Sequence, residues 1–426
     1  MTALLALVTG LTFVGLAFVA SAMDTDWTAS IANVEFFGKA VSTFFVFAFG
    51  TCVGSFLNVV VYRIPAGLSV VTPPSRCPLC GGRLGWRENL PVIGWLLLRG
   101  RCRSCKAKIS LQYPFVELLV GLLFAGLFLL YYVIPASSPL ADLASPWWRA
   151  QGFAASWPLF AAIALMIAAL IAATIIDART FLIPSEITWT LTIVGFLAAT
   201  VQGVFPVTPR ARQLDWPVAL PGWQGLGAAL GGICGLLVAT ALLRLGRIPL
   251  SYADFDEYVG KDDAFSSYPH ARRETMKELV FLSPIIAGVL MGMFIGPALS
   301  QSPPPLWLAS IGAAALGFIV GGAILWVVRV LGTLAFGREA MGLGDVHLVA
   351  GIGAVLGWKA AAWTFALSPF IGVGYSLVAL CLRPLVRLPI REMPLGPHLA
   401  LAAMFVLLGG AILQPMEQQI AAVMGW

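Results

Sequence analysis

Long apolar runs dominate this chain and restrict what it can fold into. Hydrophobic residues make up 59% of the sequence and charged residues only 11%, which is far from the composition of soluble domains. Many of the runs approach the roughly 20 residues that a helix needs to cross a bilayer. We therefore predict an all-α polytopic membrane protein with about eleven transmembrane helices. The predicted spans lie near residues 4–22, 40–62, 112–134, 157–176, 186–205, 223–244, 279–300, 306–331, 345–357, 363–382 and 397–413.

Two of these predicted spans are unusual. The run at 4–22 has no basic residue before it, which favours an uncleaved span over a cleaved signal peptide. The run at 345–357 is too short for an upright span, so we expect it to begin earlier or to be broken.

Charges in the loops predict the orientation of the spans. Segment 63–111 holds nine basic residues and one acidic residue, and basic loops face the cytoplasm. Counting spans from there assigns the loops at 177–185, 245–278, 332–344 and 383–396 to the same side. The net charge of +6 therefore reports topology in the lipid bilayer, and no nucleic-acid partner is predicted.

Four of the seven cysteines form two Cys-x-x-Cys pairs in the polar segment, Cys77 with Cys80 and Cys102 with Cys105. Four thiolates in paired turns suit a tetrahedral zinc ion and leave no ligand position open for catalysis. Disulfides are the alternative, and a cytoplasmic location disfavours them. We expect the zinc to be structural, because a module of this size lacks a core and gains much of its folding free energy from the metal.

Polar residues next to these cysteines have open roles. Glu88, Asn89, Gly94 and Trp95 border an apolar patch that either lies on the membrane surface or holds a ligand. Glu117 lies about one turn inside the next span, where a carboxylate is costly. It either pairs with a basic residue of the cysteine segment or takes part in chemistry.

Small residues mark one face of the span at 40–62. Gly50 and Gly54 have a small-x-x-x-small spacing, and Ser55 and Asn58 add groups that can bond between helices. Tight helix packing and a substrate-facing role both fit this pattern.

Two aspartates lie at the ends of predicted spans on the same side. Asp177 closes the run at 157–176, and Asp345 follows a loop that contains Gly342 and Gly344, whose backbone can approach a substrate closely. Asp345 alone could be a helix cap, but a second acid at the same depth favours function. Two adjacent carboxyl groups share a proton, so one can activate water while the other polarises a scissile carbonyl.

Together these motifs resemble those of the type IV prepilin peptidases, membrane aspartyl proteases of the Gly-x-Gly-Asp group. The resemblance covers roughly residues 50–200 and 335–400. The matching residues, in the family's order, are Gly54 to Val60 with Tyr62-Arg63, the two cysteine pairs, Glu88-Asn89 with Pro91, Gly94-Trp95 with Leu98-Arg99-Gly100, Tyr113-Pro114 with Val116 to Leu119, Asp177 with Ile183-Pro184, and Met341 to Asp345.

The resemblance implies that Asp177 and Asp345 remove a short basic leader from prepilins and pseudopilins of type IV pilus and type II secretion systems. The cut would fall after a glycine, at the cytoplasmic face of the bacterial inner membrane. The resemblance also implies methylation of the new amino terminus, with S-adenosylmethionine as methyl donor. The candidate region for methylation or substrate binding comprises Glu88, Asn89, Gly94, Trp95 and Glu117.

The chain departs from the family in several places. His347 stands where Lys is usual, Ser185 where Asp is common, and residues 393–398 are a loose form of a late motif.

The family has about eight spans, so we assign the additional predicted spans of this chain to the first span and to an inserted segment. The expected division is 1–39 (extra span and outer loop), 40–134 (N-terminal region with the zinc module at about 63–111), 135–244 (first part of the protease core), 245–331 (inserted polar loop and helix hairpin) and 332–426 (second part of the core).

Other functions stay open. A peptidase without methyltransferase activity is the narrowest alternative. An ion- or proton-coupled transporter could use the same two aspartates, although it would favour internal repeats and acids nearer the membrane midplane. An inactive assembly scaffold organised by its zinc module is the third. The polar loop at 245–278 is predicted to be a solvated connector rather than a cation site.

Overall fold

The structure is a computed structural model that describes residues 27–254, 258, 268–382, 394–410, 413 and 415–419, with side chains from residue 34 onward. The predicted span at 4–22 lies outside the described residues. The helices are α1 (Trp27–Arg63), α2 (Ile93–Leu97), α3 (Gln112–Phe128, continued by a π-helical turn at Leu129–Val133), α4 (Trp147–Gln151), α5 (Phe153–Thr180), α6 (Ser185–Val204), α7 (Trp223–Arg244), α8 (Ala271–Leu299), α9 (Leu306–Phe336), α10 (Leu343–Leu356), α11 (Trp358–Leu382) and α12 (Leu395–Leu408).

Helices account for the membrane-spanning part of the described chain. Eight of them are long and apolar enough to cross a membrane, namely α1, α3, α5, α6, α7, α8, α9 and α11. Helices α10 and α12 are shorter apolar helices. With 14 residues, α10 is about 21 Å long, less than the bilayer's hydrocarbon core of about 30 Å. The described residues thus support a polytopic protein with eight candidate spans, and the predicted count of eleven is not confirmed.

Helix α5 lies at the centre of the bundle. It packs against α1, α3, α6, α10 and α12, and it buries residues around most of its circumference rather than along one stripe. Such all-round burial suits a helix that is hydrophobic on every face. Asp177, near its C-terminal end, is a charged exception among these buried residues and is 4% exposed.

Glycines bring α1 and α3 into contact. A Cβ atom on Gly54 would lie 2.7 Å from the Cα of Glu117, and one on Gly50 would lie 2.9 Å from the Cα of Gly121. The side-chain amide of Asn58 donates to the Tyr113 carbonyl at 3.1 Å. The interpretation of Gly50 and Gly54 as a helix-packing face is therefore confirmed.

A second glycine contact joins α7 to α8. A Cβ atom on Gly231 would lie 2.0 Å from the Gly288 carbonyl oxygen, and the same closeness recurs one turn away between Gly227 and Gly292. Helix α9 instead packs mainly on α10 and α6. The predicted division of the chain at 245–331 stays a prediction.

Replacing Gly54 by Ala should destabilise the fold by about 1–3 kcal/mol, because the added methyl meets backbone that cannot move aside easily. Gly38 is the matched control: it lies on the same helix, and a Cβ atom there meets nothing within 4 Å. Thermal unfolding in detergent, followed by tryptophan fluorescence, measures both variants. Equal melting temperatures for the Gly54→Ala and Gly38→Ala proteins would contradict the packing assigned to Gly54.

Candidate active site and metal centre

The Asp177 carboxylate lies where α5 ends. Phe181 takes the left-handed conformation there, with a φ of 54°, and its N–H donates to the Asp177 carbonyl. The chain then turns through Ile183 and Pro184 into α6, and Pro184 is the N-cap of that helix. Asp177 is thus fixed at one end of the bundle, next to a tight turn.

The Asp345 carboxylate belongs to the first turn of α10. Its helix is capped by Gly342, so the interpretation of Asp345 as an N-cap is wrong. Gly344 rests on the turn after α5, since a Cβ atom there would lie 2.9 Å from the Ile183 carbonyl oxygen. Only a residue without a side chain allows this approach. The contact brings Asp345 within electrostatic range of Asp177.

Helix α12 completes the surroundings of Asp177. The Gly396 N–H donates to Asp177 Oδ2 at 2.8 Å, and a Cβ atom on Gly396 would lie only 2.6 Å from that oxygen. An N–H in the first turn of a helix is a favourable partner for an anion. His398, in the same turn, is buried and within electrostatic range of Asp177. These two residues were not predicted as part of the site, although Pro394-Leu395-Gly396-Pro397 signals a helix start.

The predicted site residues around the aspartates therefore converge. Asp177, Asp345 and Gly344 meet at one end of the bundle. Gly342 is exposed beside them, and a Cβ atom placed on it would lie 3.5 Å from Asp345 Oδ2. His347, where the family usually has Lys, packs against Trp189 on α6 with ring centroids 5.7 Å apart. Gly342 and Leu343 are exposed in the loop next to Asp345, which is itself partly buried.

The four predicted zinc ligands also converge. The Sγ atoms of Cys77, Cys80, Cys102 and Cys105 all lie within 4.8 Å of one another. Two of the separations are 3.8 Å, from Cys77 to Cys105, and 4.0 Å, from Cys80 to Cys102. A tetrahedral zinc ion with Zn–S bonds of about 2.3 Å places its sulfurs about 3.8 Å apart, so the cluster fits zinc. The same distances exclude disulfides, whose sulfurs are about 2 Å apart.

The two Cys-x-x-Cys turns have the same backbone form. Gly81 N–H donates to the Cys77 carbonyl, and Lys106 N–H donates to the Cys102 carbonyl. Gly81 has a φ of 68° and Lys106 a φ of 60°. The amides of Cys80 and Leu79 hold the pKa of the Cys77 thiol down at about 6, which favours the thiolate that binds metal.

Glu117 contacts the zinc module through its backbone. Its Oε2 accepts a hydrogen bond from the Val92 N–H at 2.6 Å. Of the two roles left open for Glu117, pairing with a basic residue of the cysteine segment is not found among the described residues. The turn at Val92, with a φ of 59°, aims an amide at the carboxylate instead. Glu117 thereby attaches the module to the start of α3.

The other residues of the candidate methylation region lie in the same module. Glu88 accepts from the Gly85 N–H at 2.9 Å and pairs with Arg103 at 3.4 Å. Trp95 donates from its indole to the Ile109 carbonyl at 3.2 Å, and Gly94 is buried while Asn89 is exposed. These contacts give Glu88 and Trp95 structural roles. Their part in methylation stays a prediction.

The zinc module and the carboxyl pair share one end of the bundle. The module connects the end of α1 to the start of α3. Arg179, two residues after Asp177, donates to the side chain of Gln112 at that start. A peptide that reached the carboxyl pair would therefore lie near the module as well.

These features define a polytopic membrane protein with two neighbouring carboxyl groups at one end and, nearby, a cluster of four cysteines that could hold a metal ion. A family profile described as the bacterial peptidase A24 N-terminal domain matches residues 48–131, and one described as the type IV leader peptidase family matches residues 279–377. The type 4 prepilin-like proteins leader peptide-processing enzyme of Escherichia coli is 34% identical over 229 residues, which cover 50% of this chain and 74% of that protein. The chain belongs to the type IV leader peptidase family.

Two other relatives match a larger part of the chain or match a short part at higher identity. The prepilin leader peptidase/N-methyltransferase of Aeromonas hydrophila is 25% identical over 389 residues, 86% of this chain and 90% of that protein. The protein of the same name from Myxococcus xanthus is 56% identical over 89 residues, 21% of this chain and 26% of that protein. No solved structure gives a significant match.

Two substitutions in the Cys-x-x-Cys turns should change how well the cluster retains zinc. Gly81→Ala forces an alanine into the left-handed region at a cost of about 1–2 kcal/mol, so it should release zinc faster to a chelator. Lys106→Gly removes the corresponding strain in the other turn and should retain zinc at least as long as the wild type. Zinc release to a colorimetric chelator measures both. Faster release from the Lys106→Gly protein would contradict the equivalence of the two turns.

Proposed function

We propose that this protein is a membrane aspartyl endopeptidase that removes the leader peptides of type IV prepilins or pseudopilins. Asp177 and Asp345 are its catalytic pair. The observation that carries the proposal is the approach of these two carboxyl groups, from α5 and α10, at one end of an otherwise apolar bundle. Membership of the leader peptidase family and the names of the relatives support the substrate class.

The chemistry follows from two carboxyl groups that share one proton. The ionised group takes a proton from a water molecule, whose oxygen attacks the carbonyl carbon of the scissile peptide. The protonated group donates its hydrogen bond, and then its proton, to the carbonyl oxygen. Collapse of the tetrahedral intermediate breaks the C–N bond, and the leaving amine receives a proton from the pair. The pair titrates as a unit, so neither role belongs to one aspartate alone.

The residues around the pair prepare it for this reaction. The Gly396 N–H holds Asp177 Oδ2 at 2.8 Å, which fixes one carboxyl before substrate arrives. The absence of a side chain at the exposed Gly342 lets the backbone of a substrate approach the other carboxyl. Fixed groups of this kind lower the barrier because they need little reorganisation during the reaction.

The proposed orientation puts the catalytic end toward the cytoplasm. The supporting observation is the charge of segment 63–111, nine basic residues against one acidic residue, at the same end of the bundle as Asp177. Basic segments next to membrane spans stay on the cytoplasmic side. The location would be the bacterial inner membrane, as for the prepilins it would cut.

We also propose that the protein methylates the amino terminus that it exposes, with S-adenosylmethionine as the methyl donor. The support is the name of the relatives from Aeromonas hydrophila and Myxococcus xanthus and the presence of the zinc module beside the carboxyl pair. Zinc bound by the four cysteines would stabilise that module. Glu88, Asn89, Gly94, Trp95 and Glu117 are the candidate residues for the second activity.

Asp345→Asn and Asp177→Asn should each lower cleavage of a synthetic prepilin leader peptide by about 10²–10⁴-fold, since each removes one member of the acid–base pair. Purified protein in detergent, with mass detection of the products, measures this. Asp142→Asn is the control, because Asp142 is exposed and lies in the loop after α3, at the other end of the bundle. Undiminished cleavage by the Asp345→Asn protein would overturn the proposed catalytic pair.

The two activities should separate when the substrate is supplied already cut. With S-adenosylmethionine present, wild type should add one methyl group to the amino terminus of a peptide that begins at the cleavage point. Asp345→Asn should do the same, because methylation does not use the carboxyl pair. If wild-type protein cleaves the leader peptide but methylates neither product, the peptidase without methyltransferase activity is the correct alternative.

A further inference from the structure

A buried charged cluster lies directly behind the loop that carries Asp345. Its centre is Arg329, near the C-terminal end of α9, which is only 2% exposed. A charged side chain this deeply buried is costly unless it is paired and hydrogen-bonded. The partners of Arg329 therefore indicate what the residue holds together.

The Arg329 guanidinium donates to two separate parts of the chain, α8 and the loop before α10. Its Nη2 donates to Glu278 Oε1 on α8 at 2.9 Å, and its Nε donates to both Glu278 oxygens at 3.2 Å. Its Nη1 donates to Glu339 Oε1 and to the backbone carbonyl of Met341. A planar guanidinium can satisfy such a set of acceptors at once, in fixed directions.

The bond to Met341 reaches the catalytic loop. Met341 precedes the N-cap Gly342 and lies four residues before Asp345. Between α9 and α10 the chain contains Gly337, with a φ of 71°, and Gly342, so the conformational preference of this segment is weak. Arg329 fixes this segment at one side, and the contact of Gly344 with Ile183 fixes it at the other.

The cluster extends away from the site into α8 and the residues before it. Glu278, 4% exposed, also accepts from the Trp326 indole at 3.1 Å. One turn earlier, the buried Glu274 accepts from the Tyr252 N–H at 2.7 Å and pairs with Arg273 and Lys277, each at 2.9 Å. The polar segment before α8 is therefore attached, through α8, to the residue that holds the Asp345 loop.

We propose that Arg329 is a positioning residue for the peptidase reaction: it holds the Met341 carbonyl and Glu339 so that Asp345 stays at the correct distance from Asp177. Glu278 of α8 neutralises Arg329 and sets its direction. This assigns α8 a contribution to the geometry of the site. The proposal rests on the proposed function of Asp345, but its physical content, a loop fixed by one side chain, is measurable without activity.

The test uses Arg329→Lys in the full-length protein in detergent. A lysine keeps the charge, but its compact ammonium cannot bond Glu278 and the Met341 carbonyl in the geometry of the guanidinium. Amide hydrogen exchange of peptides covering 337–347 should speed up at least tenfold relative to wild type. The kcat for leader cleavage should fall about 10²-fold, as expected for a displacement of about 1 Å, with little change in KM.

Arg273→Lys is the matched control. Arg273 belongs to the same cluster, and in the described part of the chain its ion pairs are with Asp254 and Glu274 rather than with residues 337–347. The substitution should leave both the exchange of that segment and kcat at wild-type values.

Glu278→Gln serves as a milder variant. It keeps an acceptor for the Arg329 guanidinium but removes the neutralising charge. It should therefore speed up exchange of 337–347 less than Arg329→Lys does.

Three results decide the outcome. Faster exchange confined to 337–347, with a lower kcat, supports the positioning role. Unchanged exchange and kcat in Arg329→Lys would overturn it, as would a general rise in exchange that Arg273→Lys reproduces. If wild-type protein shows no leader cleavage but Arg329→Lys still loosens 337–347 selectively, the proposed function fails and the attachment of the loop to Arg329 stands.

Discussion

The approach of α10 to the turn after α5 is the contact on which the site depends. Gly344 lies against the Ile183 carbonyl with no room for a side chain, and this closeness brings Asp345 to Asp177. Two carboxyl groups near the end of an apolar bundle are expensive, because burial and mutual repulsion both oppose ionisation. The bundle tolerates the pair because the first turn of α12 supplies an N–H to Asp177, and because the groups can share a proton.

Two buried groups of charged residues therefore lie next to each other at this end of the protein, the carboxyl pair and the Arg329 cluster. They differ in whether their charges are balanced. The carboxyl pair is a site of like charge, which suits acid–base chemistry. The Arg329 cluster is compensated, since Glu278 and Glu339 surround the guanidinium. A compensated cluster of this kind contributes little net stability but specifies geometry when its members are all bonded. It connects α8, α9 and the loop before α10, and so relates α8 to the site.

In the zinc module, the local sequence pattern was sufficient to predict the cysteine cluster but not the partner of Glu117. The spacing of Cys77, Cys80, Cys102 and Cys105 predicted the cluster, because a Cys-x-x-Cys turn closes through its own backbone bonds. The partner of Glu117 could not be predicted in the same way. Its carboxylate accepts a hydrogen bond from the Val92 N–H. Val92 orients that N–H because it has a positive φ, and a positive φ is uncommon for valine and so cannot be predicted from the residue type.

The sequence by itself determined the helical membrane class, the cluster of four cysteines and the glycine loop before Asp345, since hydropathy, ligand spacing and glycine content act over short stretches of chain. The tertiary structure alone decided which helices lie next to one another. It paired α7 with α8, placed the Gly396 N–H on Asp177, 219 residues away in sequence, and set Arg329 behind Met341. The physical reason is that apolar helices of similar length are nearly interchangeable as membrane spans, and their neighbours are chosen by close packing and by polar contacts between distant residues.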